Sequence, residues 1–173
     1  AAGKPRRAKT PEAGAAMKTI DAFVRMAEDT QVFRPQELDI LREVLTDCLD
    51  KPDSGYRMLV HSEGEAPAGF AIFGRTPCTV AGWDLYWLVV DKRFQSKGIG
   101  RLLVAAVEKE VAEAGMKAGV RVETSGRPDY LAARSFYARV GYMQAGILPD
   151  FYAPGDDLVI FYKIITPASS LSE

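Results

Sequence analysis

Apolar residues recur along the chain in two periods, and the change from one to the other marks out the elements. Ile20, Ala22 and Val24 set against Thr19, Asp21 and Phe23 predict a weak first strand over Lys18–Val24. Pro35 then opens a helix carrying Leu38, Leu41, Leu45, Cys48 and Leu49 at helical spacing, and Pro52 stops it. Tyr56–Ser62 and Ala68–Phe73, joined by a turn at Gly64, predict an antiparallel hairpin. A loop over Gly74–Gly82 leads into Trp83–Val90, the most strand-like run of the chain. Ile99, Leu102, Leu103, Ala106, Val107, Val111 and Ala114 make an amphipathic helix that Gly115 closes. A strand at Val120 and Val122 follows, then a helix over Leu131–Val140 with the stripe Ala132, Ala133, Phe136, Tyr137 and Val140. Tyr142–Leu148 and Leu158–Ile164 predict two last strands around a loop at Pro149–Asp157.

This order predicts an α/β fold of the α+β type, with a mixed, mostly antiparallel sheet flanked by helices. Trp83–Thr124 reads as strand, helix, strand, a right-handed crossover that sets one parallel pair into the sheet. Residues 1–17 hold Lys4, Arg6, Arg7 and Lys9 against Glu12 with no apolar period and read as a disordered tail. Residues 18–165 form the expected single domain, with 166–173 as a short C-terminal tail.

Composition narrows the chemistry. The 173 residues hold 22 Lys and Arg against 23 Asp and Glu, a net charge of −1, which announces no nucleic-acid partner. The longest apolar runs, Leu85–Val90 and Leu102–Val107, fall far short of the ~18 residues of a membrane span, so a soluble protein is expected. Cys48 and Cys78 stand far apart and His61 is the one histidine, so neither a zinc site nor any other metal site is expected. The absence of a disulfide framework fits a cytoplasmic protein. Catalysis would rest on carboxylates, tyrosines, hydroxyls and backbone.

Gln95-Ser96-Lys97-Gly98-Ile99-Gly100-Arg101 lies between the Trp83–Val90 strand and the following helix. A glycine-rich turn there points several unpaired N–H groups at one spot, at the positive end of a helix dipole, where a pyrophosphate fits. Lys92, Arg93, Lys97 and Arg101 add positive charge. Neither Gly-x-x-x-x-Gly-Lys-Ser/Thr nor Gly-x-Gly-x-x-Gly is present, and taken alone the turn reads first as a tight bend with solvated basic residues.

Gln-x-x-Gly-x-Gly in this setting, followed by Ser135-Phe136-Tyr137-Ala138-Arg139-Val140-Gly141-Tyr142, resembles the GNAT superfamily of acyl-CoA-dependent N-acetyltransferases. The resemblance runs from about Lys18 to Ile164 in element order as well as motifs. It implies that the backbone of Gln95, Ser96, Lys97, Gly98, Ile99, Gly100 and Arg101 holds the pyrophosphate of acetyl-CoA. It also implies that the main chain of Leu88, Val89 and Val90 binds the thioester and pantetheine arm in a gap between two splayed strands. Tyr130 stands where many members carry an asparagine that touches the cofactor, a departure that leaves the pyrophosphate loop unaffected.

Acetyl transfer to an amine needs a deprotonated amine, a stabilised oxyanion and a protonated leaving thiolate. Tyr137 matches the family's proton-donating tyrosine, although the same residue also fits the apolar stripe as packing. Asp84 stands where several members carry the carboxylate that draws off the amine proton, and a strand-end turn residue is the other reading. Strand alternation puts Asp84, Tyr86, Leu88 and Val90 on one face, with the N–H of Leu88 as oxyanion donor. Glu123 is a reserve base, His61 reads as a surface or satisfied histidine, and Cys78 has no nearby histidine to activate it. Direct transfer in a ternary complex is therefore expected over a cysteine intermediate.

The acceptor is expected to be a small-molecule amine or a protein amino group. Residues 28–53 carry eight acids against three bases, and Asp150, Asp156 and Asp157 accompany Phe151 and Tyr152 in the late loop. An acidic and aromatic acceptor side, with Tyr86, Phe151 and Tyr152 in contact with substrate, would suit a cation, and a solvated helix face with an ordinary loop accounts for the same residues at least as well. A monomer or homodimer is expected, and a non-catalytic acyl-CoA-binding sensor or interaction module is the other function the loop allows.

Overall fold

The computed structural model describes residues 4–7, 13–51 and 53–167. Its elements are β1 (Arg6–Arg7), α1 (Ala13–Asp29), α2 (Pro35–Asp50), β2 (Tyr56–Glu63), β3 (Ala66–Arg75), β4 (Gly82–Val90), α3 (Ile99–Ala112), β5 (Ala118–Ser125), α4 (Leu131–Arg139), β6 (Met143–Ala153) and β7 (Asp156–Ile165). The sheet order is β1-β2-β3-β4-β5-β7-β6, with β4 and β5 parallel and the other registered pairs antiparallel. The expected mixed fold with one parallel crossover is the one observed.

Three expectations are corrected. Lys18–Val24 is not a strand but part of α1, and the residue that betrays the helix is Phe23. It is buried together with Ile20, Val24 and Ala27, a three-four spacing that only a helix turns inward. Structure also begins before Lys18: Arg6 and Arg7 pair with Val60 and Leu59, while residues 1–3 and 8–12 of the expected tail lie outside the described residues. The stretch Pro149–Asp157 is not an open loop. β6 continues to Ala153, Pro154 and Gly155 make the turn, and the register shifts between Leu148↔Leu158 and Ala153↔Asp156, with Asp150 at φ 53° absorbing the irregularity.

Elsewhere the local chemistry is as read. Pro35 takes the first position of α2, and the Arg34 N–H donates to Glu37 Oε2 at 2.7 Å, satisfying a helix-end donor. The expected stop at Pro52 falls outside the described residues. Gly115, at φ 82°, closes the turn after α3 and donates to the Ala112 carbonyl. Leu102 in α3 and Ala132 in α4, expected on the apolar stripes, are exposed. The core-facing rows there are narrower than composition suggests.

The chain divides into two compact units, residues 1–74 with 87–107 and residues 75–86 with 108–173. In the first, α1 and α2 bury Phe23, Leu41, Leu45 and Leu49 in one cluster with Met58, Phe70, Ile72 and Val89 of the strands. Phe23 meets Phe70 edge-on at 5.1 Å. In the second, Val120 and Val122 of β5 and Phe161 of β7 form a buried row, against which Tyr137 of α4 packs. Among the described residues no helix is long and apolar enough to cross a membrane.

Candidate active site

The Gln95–Arg101 turn is shaped by backbone. Asp91 opens it: its N–H donates to Ala68 O at 3.0 Å, and its carboxylate accepts from the N–H and guanidinium of Arg93. These hydrogen bonds hold the Asp91 carboxyl below the usual carboxylate range. Gln95 Nε2 donates to Val90 O at 3.3 Å, tying the turn back to the end of β4. Ser96 and Gly98 both have left-handed backbones, φ 62° and 83°, and α3 begins at Ile99. Left-handed residues alternating with right-handed ones make a concave backbone turn suited to an anion, and the first turn of α3 adds donors without intrahelical partners. A Cβ on Gly98 would meet nothing within 4 Å, so the approach to the backbone is open, and Gln95 to Gly98 are all exposed. An anionic phosphate fits this turn. Lys97 Nζ rests 4.9 Å from the Phe94 ring centroid.

A glycine absent from the motif sets the height of the turn. A Cβ on Gly69 of β3 would lie 2.8 Å from Val89 O and 3.2 Å from both Ile99 Cγ2 and Leu103 Cδ1. The lack of a side chain there lets the first turns of α3 close onto the strands. Leu88 and Val90 are half-buried, whereas the Val89 side chain belongs to the core.

In the second unit, Tyr137 is buried, and its ring lies 5.4 Å from Phe136, 5.9 Å from Tyr142 and 5.8 Å from Phe161. Burial pushes its phenol well above the ordinary tyrosine range and keeps it neutral. It is thus the stripe residue of the packing reading, and its phenol keeps its proton. Tyr130, at the family's asparagine position, is buried beneath the Arg127 guanidinium at 5.3 Å.

Asp84 is buried in a side-chain network. Its Oδ1 accepts from Arg121 Nε at 2.7 Å, and its Oδ2 accepts from Thr76 Oγ1 at 2.7 Å, with the side chain 7% exposed. The pair follows from the parallel register, which sets Asp84 opposite Arg121. Hydrogen bonding to Asp84 raises the already high pKa of the guanidinium. Arg121 Nη1 also reaches Glu123 Oε1 at 3.3 Å. Thr76 and Arg121 carry no motif; only strand pairing brings them to Asp84.

Tyr86, Phe151 and Tyr152 are exposed, and the last two rings stack edge-on at 5.3 Å near the β6–β7 turn. The acids beside them are spent on that turn. Asp157 Oδ1 accepts from the Asp150 N–H at 2.9 Å, Asp150 Oδ1 accepts from the Gly155 N–H at 2.6 Å, and Asp156 is buried against the Ser125 hydroxyl. His61 is fully buried, with Nε2 3.1 Å from Glu63 Oε1, rather than on the surface. Cys48 is half-buried and its thiol is pushed up to about 12, so it is inert, while Cys78 is exposed in the β3–β4 connection.

The model of the GNAT family of acetyltransferases matches residues 21–142. A solved structure from Desulfovibrio desulfuricans, assigned to the same family, is 33% identical with a TM-score of 0.83, covering 94% of this chain and 98% of its own. At lower identity the fold is shared with the aminoglycoside 6'-N-acetyltransferase from Enterococcus faecium (19%, TM-score 0.70, 94% and 98% covered). It is shared as well with the ribosomal-protein-S18-alanine N-acetyltransferase from Escherichia coli (17%, TM-score 0.67, 95% and 96% covered). No curated protein matches the chain.

Proposed function

The chain belongs to the GNAT family of acetyltransferases, and from that premise we propose that it carries an acetyl group from acetyl-CoA to a primary amine by direct attack in a ternary complex. The observation that carries the reading is the Gln95–Arg101 turn, with left-handed backbone at Ser96 and Gly98 just before the start of α3 and open space at Gly98. Its main chain would hold the pyrophosphate, with Lys97 and Arg101 contributing charge and the Leu88–Val90 main chain taking the pantetheine arm. Acetyl-CoA supplies the activated acetyl thioester.

The residues of the chain then divide the proton work. Tyr137, held neutral by burial, would give its proton to the departing sulfur. A phenol with an ordinary pKa near 10 is already a weak acid for a thiolate, and burial weakens it further, so donation must be concerted with departure. The N–H of Leu88 would face the developing oxyanion, and a carboxylate, Asp84 or Glu123, would receive the amine's positive charge or proton. The acceptor would be an amine on a small molecule or on a protein.

Release of free thiol from acetyl-CoA should depend on an added amine and rise toward alkaline pH. A panel of polyamines, amino acids, aminoglycosides and lysine peptides tests it. Binding of acetyl-CoA with no thiol release across the whole panel would overturn the transferase reading in favour of a cofactor-sensing module.

A further inference from the structure

The end of α4 is built around the tyrosine that the reaction would use. The Tyr142 N–H donates to the Tyr137 carbonyl at 3.0 Å and the Gly141 N–H to the Ala138 carbonyl at 3.1 Å, with Gly141 left-handed at φ 90°. Together these hydrogen bonds make a Schellman ending. Tyr137 and Tyr142 occupy the two positions whose side chains meet across such an ending, and their rings lie 5.9 Å apart. Both the main chain and the ring of Tyr137 are therefore tied to the last turn of its helix. Whatever sets that turn sets the phenol.

β7 supplies the rest from one face. Phe161 meets the Tyr137 ring at 5.8 Å, and Lys163, two residues on, reaches the helix end. Its Nζ donates to the Val140 carbonyl at 2.9 Å and to Glu108 Oε1 at 2.8 Å, and lies 5.4 Å from the Tyr142 ring centroid. A Cβ on Gly141 would stand 3.6 Å from both Cε and Nζ of Lys163, so the ammonium lies directly against the turn. All of these residues, with Glu108 in the C-terminal half of α3, belong to the second unit.

Lys163 is the one charged residue of the run Leu158–Ile165. Its side chain is 27% exposed and that of Glu108 is 20% exposed. An ion pair taken that far out of water contributes little stability over apolar residues of similar volume, so cohesion alone does not account for a lysine there. What the ammonium adds is direction. It sets a cation at the negative end of α4, on a carbonyl that the helix itself leaves without a partner, and Glu108 fixes it from a second helix.

We propose that Lys163 is a positioning residue for proton donation by Tyr137: its ammonium, held by Glu108, clamps the last turn of α4 through the Val140 carbonyl and so sets where the phenol stands. The inference rests on the N-acetyltransferase reading with Tyr137 as proton donor.

Kinetics in two backgrounds test it, with the best amine of the panel as acceptor. Lys163→Met removes the ammonium and keeps most of the stem. It should lower kcat for thiol release by about tenfold or more, within the reach of a small misplacement at a reacting group, and leave KM and calorimetric affinity for acetyl-CoA unchanged. Lys163→Arg, which can still donate to both oxygens, should recover part of the loss. In a Tyr137→Phe background there is no phenol left to place, so Lys163→Met should lower kcat no further. A general loosening of the fold would instead lower kcat equally in both backgrounds. Combining Lys163→Met with Glu108→Gln avoids a stranded carboxylate, and this variant should keep a parental Tm and still lose kcat. Equal losses in the two backgrounds, or a parental kcat in the combined variant, overturn the assignment. A Tyr137→Phe chain as fast as the parent overturns it too, with the transferase reading intact, whereas no thiol release with any amine faults that reading and the inference with it.

Discussion

The Gln95–Arg101 turn and the Asp84–Arg121–Glu123 cluster are built by opposite means. In the turn, Gln95 to Gly98 are exposed and the shape lies in φ angles, the unpartnered donors of the helix start and the bare Cα of Gly98. In the cluster, the backbone is ordinary strand and the arrangement lies in side-chain contacts, Arg121 and Thr76 on Asp84 and Arg121 on Glu123. A site of the first kind is set by conformation and should tolerate loss of its side chains. A site of the second kind is set by side-chain identity, and a change that merely removes a charge should be felt.

The side-chain-built half is expected to give the largest effect. Tyr137→Phe should lower kcat by about a hundredfold or more, the usual reach of general acid catalysis, and leave acetyl-CoA affinity nearly unchanged in a binding titration. Unchanged turnover would remove that residue from the reaction.

Gly69→Ala, by contrast, should damage the backbone-built half without touching any residue of the turn. Its Cβ would press on Val89 O, Ile99 and Leu103, an overpacking worth about 1 to 3 kcal/mol, visible as a lower Tm together with weaker acetyl-CoA binding. An alanine variant as stable as the parent would mean that α3 can lift away freely.

Next in size comes alkaline stability. Burial raises the pKa of both Tyr137 and Tyr142 in the folded chain, so above the ordinary value near 10 the unfolded phenols ionise first. Stability should therefore fall as pH rises past about 10, until the folded phenols ionise in turn, and Tyr142→Phe should make that fall shallower in denaturant melts. Lys97→Ala should be smallest, a few-fold loss of acetyl-CoA affinity on the scale of an exposed charge at roughly 0.2 to 1 kcal/mol, fading as salt is added. A large, salt-resistant loss would mean that the turn depends on side chains after all.

What could be read from the chain beforehand follows the same division. The turn announces itself because Gly98 and Gly100 are local in sequence and flanked by a clear strand and a clear amphipathic helix. The parallel pair was legible because strand, helix, strand admits one handedness. The partners of Asp84 were not, since Thr76 and Arg121 reach it through a β3–β4 connection and an inter-strand register that no local pattern encodes. α1 was misread because three alternating residues match two periods at once, and only the burial of Phe23 decides between them. The acids at the β6–β7 turn illustrate another limit. Composition suggested a charged wall, but Asp150 and Asp157 spend their oxygens on main-chain N–H groups.

Gly69 has a further consequence for anyone who would alter cofactor preference. The residues that meet the solvent at the Gln95–Arg101 turn sit at a depth fixed from beneath, by a methyl group missing from a neighbouring strand. A mutant library confined to the turn would sample every side chain on the rim and never the position that determines how deep the rim lies.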